Sequence, residues 1–311
     1  VDMLPAGITL SEDGRYEITA ADFNFEECLF YLSRNANEVL HEADREQAII
    51  RKAVRDTDGS LVLLQLEKGK NGRPVLSFPI EEPEVPARQA ALGTAVEWLD
   101  LSTDLQPFYR MAAQDPILGQ VVPSYQGLRI VGVPDLFEAL CWAIMGQQVS
   151  LHVAYLVKKK FVETFGEAVC FQNKSYWVFP SAAAIAELSK EQLTEVKLTQ
   201  RKAEYILGVA KLMAEGGLTK SALQQQPDLA SMEKQLTAIR GIGSWTANYA
   251  IMRCLRHPDA FPLADVGLHN ALKHVLRLDR KPALSEIEEW AARWSGWKAY
   301  ATFYLWRTIT T

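Results

Sequence analysis

Near residue 100 the chain changes its hydrophobic period, and this switch limits the fold more than any other feature of the sequence. Before it, strand and helix signals alternate. Residues 15–20, 48–54, 60–66 and 74–80 read as strands, and residues 23–34 carry apolar side chains at helical spacing. The turn-rich Lys68-Gly69-Lys70-Asn71-Gly72 separates the last two strands. A connector containing Pro79, Pro83 and Pro86 leads into a helix expected over residues 87–99. Beyond it almost nothing alternates with period two, so the rest is expected to be helical. The reading is therefore α+β: an N-terminal α/β domain over residues 1–110, then an all-helical region over 111–311 in two lobes.

The helices are punctuated by residues whose side chains can accept from free amide groups. Asp135, Ser150, Ser181 and Thr199 stand where caps belong, and Ser189 with Gln192 forms a capping-box pattern. Gly216-Gly217 stops the helix that Thr199 opens.

Several function classes drop out early. No apolar run approaches the roughly 18–20 residues that span a bilayer, and no charged start precedes an apolar leader segment. A cytoplasmic address with no membrane partner is expected. Cys28, Cys141, Cys170 and Cys254 lie far apart and read as free thiols, and His269 and His274 fit no helical ligand pair. Lys158-Lys159-Lys160 reads as a solvated charge run. Because Met3 follows Val1 and Asp2, those first two residues read as a cloning remnant. The net charge of −5 argues against a chain that grips nucleic acid by bulk electrostatics. Yet residues 231–311 hold 11 Lys and Arg against 7 Asp and Glu, so a nucleic-acid face confined to the C-terminal part remains open.

The informative stretch is residues 236–250, with Gly241-Ile242-Gly243 at its centre, followed by Phe261-Pro262-Leu263-Ala264-Asp265. Two glycines one residue apart permit a tight reversal between an entering helix and one that leaves near Ser244. The first amide groups of the leaving helix lack intrahelical partners and suit a phosphate. Seen alone, such a Gly-x-Gly is an ordinary helix stop, and Asp265 is an ordinary N-cap. Trp245 and Tyr249, four apart, share one helix face.

Together these residues resemble the helix-hairpin-helix DNA glycosylase superfamily, and the likeness runs from about Asp115 to Ile309, through Ile144 to Ser150, Lys202 to Ile206, Trp294, Trp297, Tyr300 and Trp306. The N-terminal part resembles the TATA-binding-protein-like domain of one branch, the bacterial inducible 3-methyladenine DNA glycosylase II or AlkA-like group. The resemblance implies Asp265 as the catalytic carboxylate and Trp245, Tyr249 and Trp306 as walls of a base pocket. It implies DNA contacts at Gly241, Gly243 and Ser244, and a wedge at Gln148 where a leucine is familiar. It also implies a Na+ or K+ ion on the main-chain carbonyls of Thr237, Ile239 and Ile242, with no other cofactor required. The partner would be double-stranded DNA carrying damaged bases, with no obligate protein partner.

Trp245 stands where strand-cleaving members of that superfamily carry a lysine, so the resemblance implies base removal without lyase chemistry. The expected substrate is an alkylated purine such as 3-methyladenine or 7-methylguanine, flipped out of the duplex and stacked as a cation on electron-rich rings. Val266 replaces a familiar tyrosine after the aspartate and removes one aromatic wall. Two alternatives stand beside this reading. One is excision of another lesion, such as 8-oxoguanine, which the absent lysine disfavours. The other is a non-catalytic DNA-binding module, which would have no use for Asp265 beside the aromatic trio.

Overall fold

The computed structural model describes residues 4–310; the expected cloning remnant at Val1 and Asp2 lies outside them. The strands β1 (Ile8–Leu10), β2 (Tyr16–Ile18), β3 (Glu42–Asp44), β4 (Ile49–Arg55), β5 (Leu61–Lys68) and β6 (Pro74–Ser77) form one antiparallel sheet in the order β1-β2-β6-β5-β4-β3. The anticipated strands are present, and the two not anticipated, β1 and β3, are three-residue edge strands too short to show a period.

Alternation along β4 and β5 decides what each face does. Ile50, Val54, Val62, Leu64 and Leu66 point one way, into a continuous core shared with Leu92, Ala95 and Trp98 of the Val85–Trp98 helix. Ala53 and Leu63, paired across the strands, point the other way and bury against Tyr176 and Val178. Those two come from a hairpin, β7 (Glu167–Phe171) and β8 (Lys174–Val178), inside the region expected to be wholly helical. That expectation is corrected. The turn uses Gln172 and Asn173 in left-handed conformation, φ 50° and 62°, with no glycine to announce it.

The remaining elements are helices, capped as anticipated. Asp135 accepts from Phe137 N, Ser150 from Val153 N and Thr199 from Lys202 N, and the Ser189–Gln192 capping box closes in both directions. The Leu136–Met145 helix is apolar around almost its whole circumference and accordingly lies at the centre, packed on the Leu151–Phe165, Gln200–Ala214 and Ser244–Ala250 helices. The Val266–Val275 helix packs on Lys298–Arg307, which brings the end of the chain to Asp265. Among the described residues no helix is long and apolar enough to cross a membrane.

Candidate active site

The two glycines of the hairpin do different things. Gly241 adopts φ +94°, closed to most side chains, and a Cβ there would lie 2.2 Å from Cγ of the Tyr205 ring. Gly243, at φ −89°, needs no special freedom, and a Cβ on it would meet nothing within 4 Å. Of the two glycines read as permitting the reversal, only Gly241 shapes the turn, and Gly243 keeps the surface clear. Gln147 Nε2 donates to Gly241 O at 2.9 Å and to Thr246 Oγ1 at 3.0 Å, pinning the hairpin to the central helix.

The helix leaving the hairpin starts at Gly243 without a side-chain cap, and its first backbone bond runs from Ala247 N to Gly243 O at 2.9 Å. The amides of Ser244, Trp245 and Thr246 therefore precede the hydrogen-bond ladder. The Ser244 hydroxyl donates to Glu233, so what Ser244 leaves available is its main chain. A surface depression of about 570 Å³ runs along this turn, lined by Thr237, Ile239, Gly241, Ile242 and Gly243 among others.

Asp265 reaches the same helix from a separate loop. Its N–H donates to Pro262 O at 2.8 Å, and Asn248 Oδ1 accepts from Phe261 N at 3.2 Å, tying the loop to the hairpin's second helix. The carboxylate caps the Val266–Val275 helix through Leu268 N at 2.7 Å. It also takes both indole N–H groups of the expected aromatic set, Trp245 Nε1 on Oδ1 at 3.0 Å and Trp306 Nε1 on Oδ2 at 2.8 Å. A carboxylate has about four acceptor directions. With these partners, the direction left open is on Oδ1. Gly267 permits this arrangement, since a Cβ there would sit 3.0 Å from Asp265 Oδ2 and 3.2 Å from Trp306 Nε1.

Tyr249 joins the group with ring centroids 5.5 Å from Trp245 and 6.0 Å from Trp306. Trp245 and Trp306, 20 and 41 positions from Asp265 in sequence, thus converge on one carboxylate and one set of rings. The set is larger than the sequence reading allowed: Trp142 Nε1 donates to the Tyr249 hydroxyl at 2.9 Å, and Tyr155 lies 4.8 Å from Trp142, centroid to centroid. Lys158 is buried behind these two rings, 4.6 and 4.7 Å from their centroids, and pairs with Glu38 at 2.6 Å. Its expected solvation is corrected. Burial opposes the charge on Glu38, yet the Lys158 ammonium holds that carboxyl well below the usual range.

Gln148 lies outside this cluster, exposed and left-handed at φ 55°, followed by the exposed apolar Val149 and Leu151. Val266 is 60% exposed, which leaves the side of Asp265 where an aromatic was missing open to solvent.

Residues 141–296 match the model of the HhH-GPD superfamily base excision DNA repair proteins, and residues 16–140 match the 8-oxoguanine DNA glycosylase N-terminal domain. A DNA-3-methyladenine glycosylase of Bacillus subtilis (strain 168) is 43% identical over 293 residues, 92% of this chain and 94% of that protein. The chain belongs to the HhH-GPD superfamily. Two solved structures share its fold: a 3-methyladenine DNA-glycosylase from Archaeoglobus fulgidus, and an 8-oxoguanine glycosylase/lyase from Clostridium acetobutylicum in complex with double-stranded DNA. The first gives a TM-score of 0.80 at 24% identity, covering 95% of this chain and 99% of that one. The second gives 0.75 at 17%, covering 97% and 96%. Within the HhH-GPD frame, the matched segment contains the hairpin, Asp265, Trp245 and Tyr249, and Trp306 reaches them from beyond its end.

Proposed function

We propose that this DNA glycosylase removes alkylated purines, with 3-methyladenine and 7-methylguanine as representative substrates, by hydrolysing the N-glycosidic bond of a nucleotide flipped out of double-stranded DNA. The observation that carries this reading is the Asp265 carboxylate, fixed by a helix N-terminus and by the indoles of Trp245 and Trp306.

As the base leaves, positive charge builds on the deoxyribose, and a carboxylate already oriented by three hydrogen bonds stabilises it without reorganising. The open direction on Oδ1 can receive a proton from the attacking water. Trp245, Tyr249 and Trp306 provide ring faces for a cationic base. Trp245 supplies an indole and no amine, so no Schiff base forms at this position and no lyase step follows. Gln148, exposed and left-handed, would fill the gap in the duplex, where its amide can hydrogen-bond the orphaned base. The backbone around Gly243 and Ser244 can take a phosphate at close range. A monovalent cation fits the turn as well. Among the described residues the carbonyls of Thr237 and Ile242 accept no hydrogen bond, Ile239 O accepts one from Ile242 N, and all three residues line the depression. Such an ion would add positive charge beside the phosphate.

The match of residues 16–140 to the 8-oxoguanine glycosylase N-terminal domain favours a second reading, excision of oxidised guanine. One experiment separates them: incubate the protein with duplexes carrying 3-methyladenine, 7-methylguanine or 8-oxoguanine, and measure the bases released and any strand cleavage. Release of the methylated bases with intact strands is expected. Asp265→Asn is expected to abolish release while binding an abasic-site analogue within about tenfold of the parent. Turnover retained in that variant overturns the role of Asp265, and release of 8-oxoguanine alone overturns the substrate class.

A further inference from the structure

The aromatic group has a second polar attachment that the reaction above leaves unused. The hairpin's second helix continues into a wide π-helical turn, Ile251–Leu255, a distortion that recurs at functional sites. It carries Arg253, which is 5% exposed. Its Nε donates to Val131 O at 2.8 Å and its NH1 to the Tyr249 hydroxyl at 2.7 Å. Lys158 nearby is neutralised by Glu38, whereas among the described residues no carboxylate pairs with Arg253.

The Tyr249 oxygen has two acceptor directions and one proton. Indole and guanidinium groups only donate, so Trp142 Nε1 and Arg253 NH1 occupy both acceptor directions. The O–H of Tyr249 is left as an obligatory donor, and no described residue accepts it. Burial pushes the phenol's pKa up, so it keeps that proton.

We infer that Arg253 is a positioning residue for base departure: acting through Tyr249, it turns the phenol O–H toward the extruded base and sets an uncompensated positive charge behind it. The inference rests on the glycosylase reading and names a substrate distinction within it. When the C1′–N bond breaks, its electron pair stays with the base nitrogen. A cationic base such as 7-methylguanine leaves neutral, and water adds its oxygen to C1′ while releasing a proton to solvent. A neutral base such as hypoxanthine leaves with negative charge and then takes up the proton that water loses. A hydrogen-bond donor backed by a buried cation helps the second departure far more than the first.

The test compares single-turnover release of hypoxanthine and 7-methylguanine from otherwise identical duplexes by the parent, Arg253→Gln, Arg253→Lys and Tyr249→Phe, with urea unfolding of each. Arg253→Gln and Tyr249→Phe are expected to slow hypoxanthine release by about a hundredfold and 7-methylguanine release by less than about tenfold. Arg253→Lys, which keeps the charge, should hold a ratio nearer the parent's. A purely structural role lowers both rates by one factor, and that result in both Arg253→Gln and Tyr249→Phe overturns the inference. So does a parent that releases 7-methylguanine but no hypoxanthine. A parent that releases neither base overturns the glycosylase reading and this inference together.

Discussion

Replacing each hairpin glycine by alanine separates folding from DNA contact, because the two positions differ in what a methyl group meets. At Gly241, alanine must hold φ near +94°, which costs about 1–2 kcal/mol for a residue with a Cβ. The methyl would also lie 2.2–2.6 Å from atoms of the Tyr205 ring, and displacing that ring adds about 1–3 kcal/mol, as overpacking does elsewhere. Gly241→Ala should therefore lose about 2–5 kcal/mol in urea unfolding. At Gly243 the backbone angle is ordinary and the space is open, so the loss is limited to the poorer N-cap, about 0.5–1 kcal/mol. If a phosphate approaches the amides of Ser244 and Trp245, however, the methyl at 243 stands in its path. Gly243→Ala should then bind an abasic-analogue duplex about tenfold more weakly, which is about 1.4 kcal/mol, in fluorescence anisotropy at fixed salt. Unchanged affinity in Gly243→Ala removes the case for backbone phosphate contact there. Unchanged stability in Gly241→Ala refutes the account of the turn.

The Glu138 carboxyl makes no hydrogen bond or ion pair among the described residues, and burial raises its pKa to about 7 despite Lys52 and Lys158, with Asp135 and Glu38 adding to the rise. The folded chain thus keeps this proton to higher pH than the unfolded chain, whose value is near 4.5. Stability from this group falls as pH rises from about 4.5 to 7 and is level above. Glu138→Gln should flatten that slope and raise stability at pH 8 by about 2–3 kcal/mol in urea titrations; an unchanged slope would count against the burial argument. Lys158→Met should cost about 3–5 kcal/mol by stranding Glu38, and Glu38→Gln in the same chain should recover most of it. Equal stability of Lys158→Met and the parent would show that the pair is not formed in solution.

What could be read from the sequence was whatever has local spacing. Trp245 and Tyr249 are one helical turn apart, and Asp265 precedes an apolar helix as a cap, so both placements follow from short-range pattern. Trp306 is different: no period links it to Asp265, and family resemblance alone placed it there. Lys158 was legible but misread. Ala154, Tyr155, Phe161 and Val162 define the buried stripe of their helix, and position 158 falls within it, whereas Lys159 and Lys160 do not. Arg253 carried a comparable signal, a lone cation in the apolar run from Ala250 to Leu255. Gly267 did as well, since glycine in a helix costs stability unless something must come close. The β7–β8 hairpin offered only two five-residue strands around a turn without glycine, too little for a periodicity argument.

The charge pattern now takes a different meaning from the one its arithmetic implied. Of the 11 basic residues after position 230, Arg253 is buried. Arg240, Arg256, Arg280, Arg293 and Arg307 each sit against a carboxylate, on Glu204, Asp100, Glu286, Asp115 and Glu27 respectively. Arg256, Arg293 and Arg307 thus tie the C-terminal helices to Asp100, Asp115 and Glu27, while Arg240 and Arg280 pair at the surface, so only part of the C-terminal surplus is left to face a phosphate. DNA affinity can then also draw on groups without formal charge: the uncapped amides beyond Gly243, an outward Gln148, and the rings around Tyr249. An acidic chain can hold DNA in this way because amides at a helix start bind anions by geometry, where a field of lysines binds them by number. The same economy governs the site itself, where Asp265 meets its partners through two indoles and one backbone N–H, and the two cations nearest the rings, Lys158 and Arg253, stand behind them. Negative charge is thereby kept at the indole pair, where the sugar cation is proposed to form, and positive charge at Tyr249, where the base is proposed to depart.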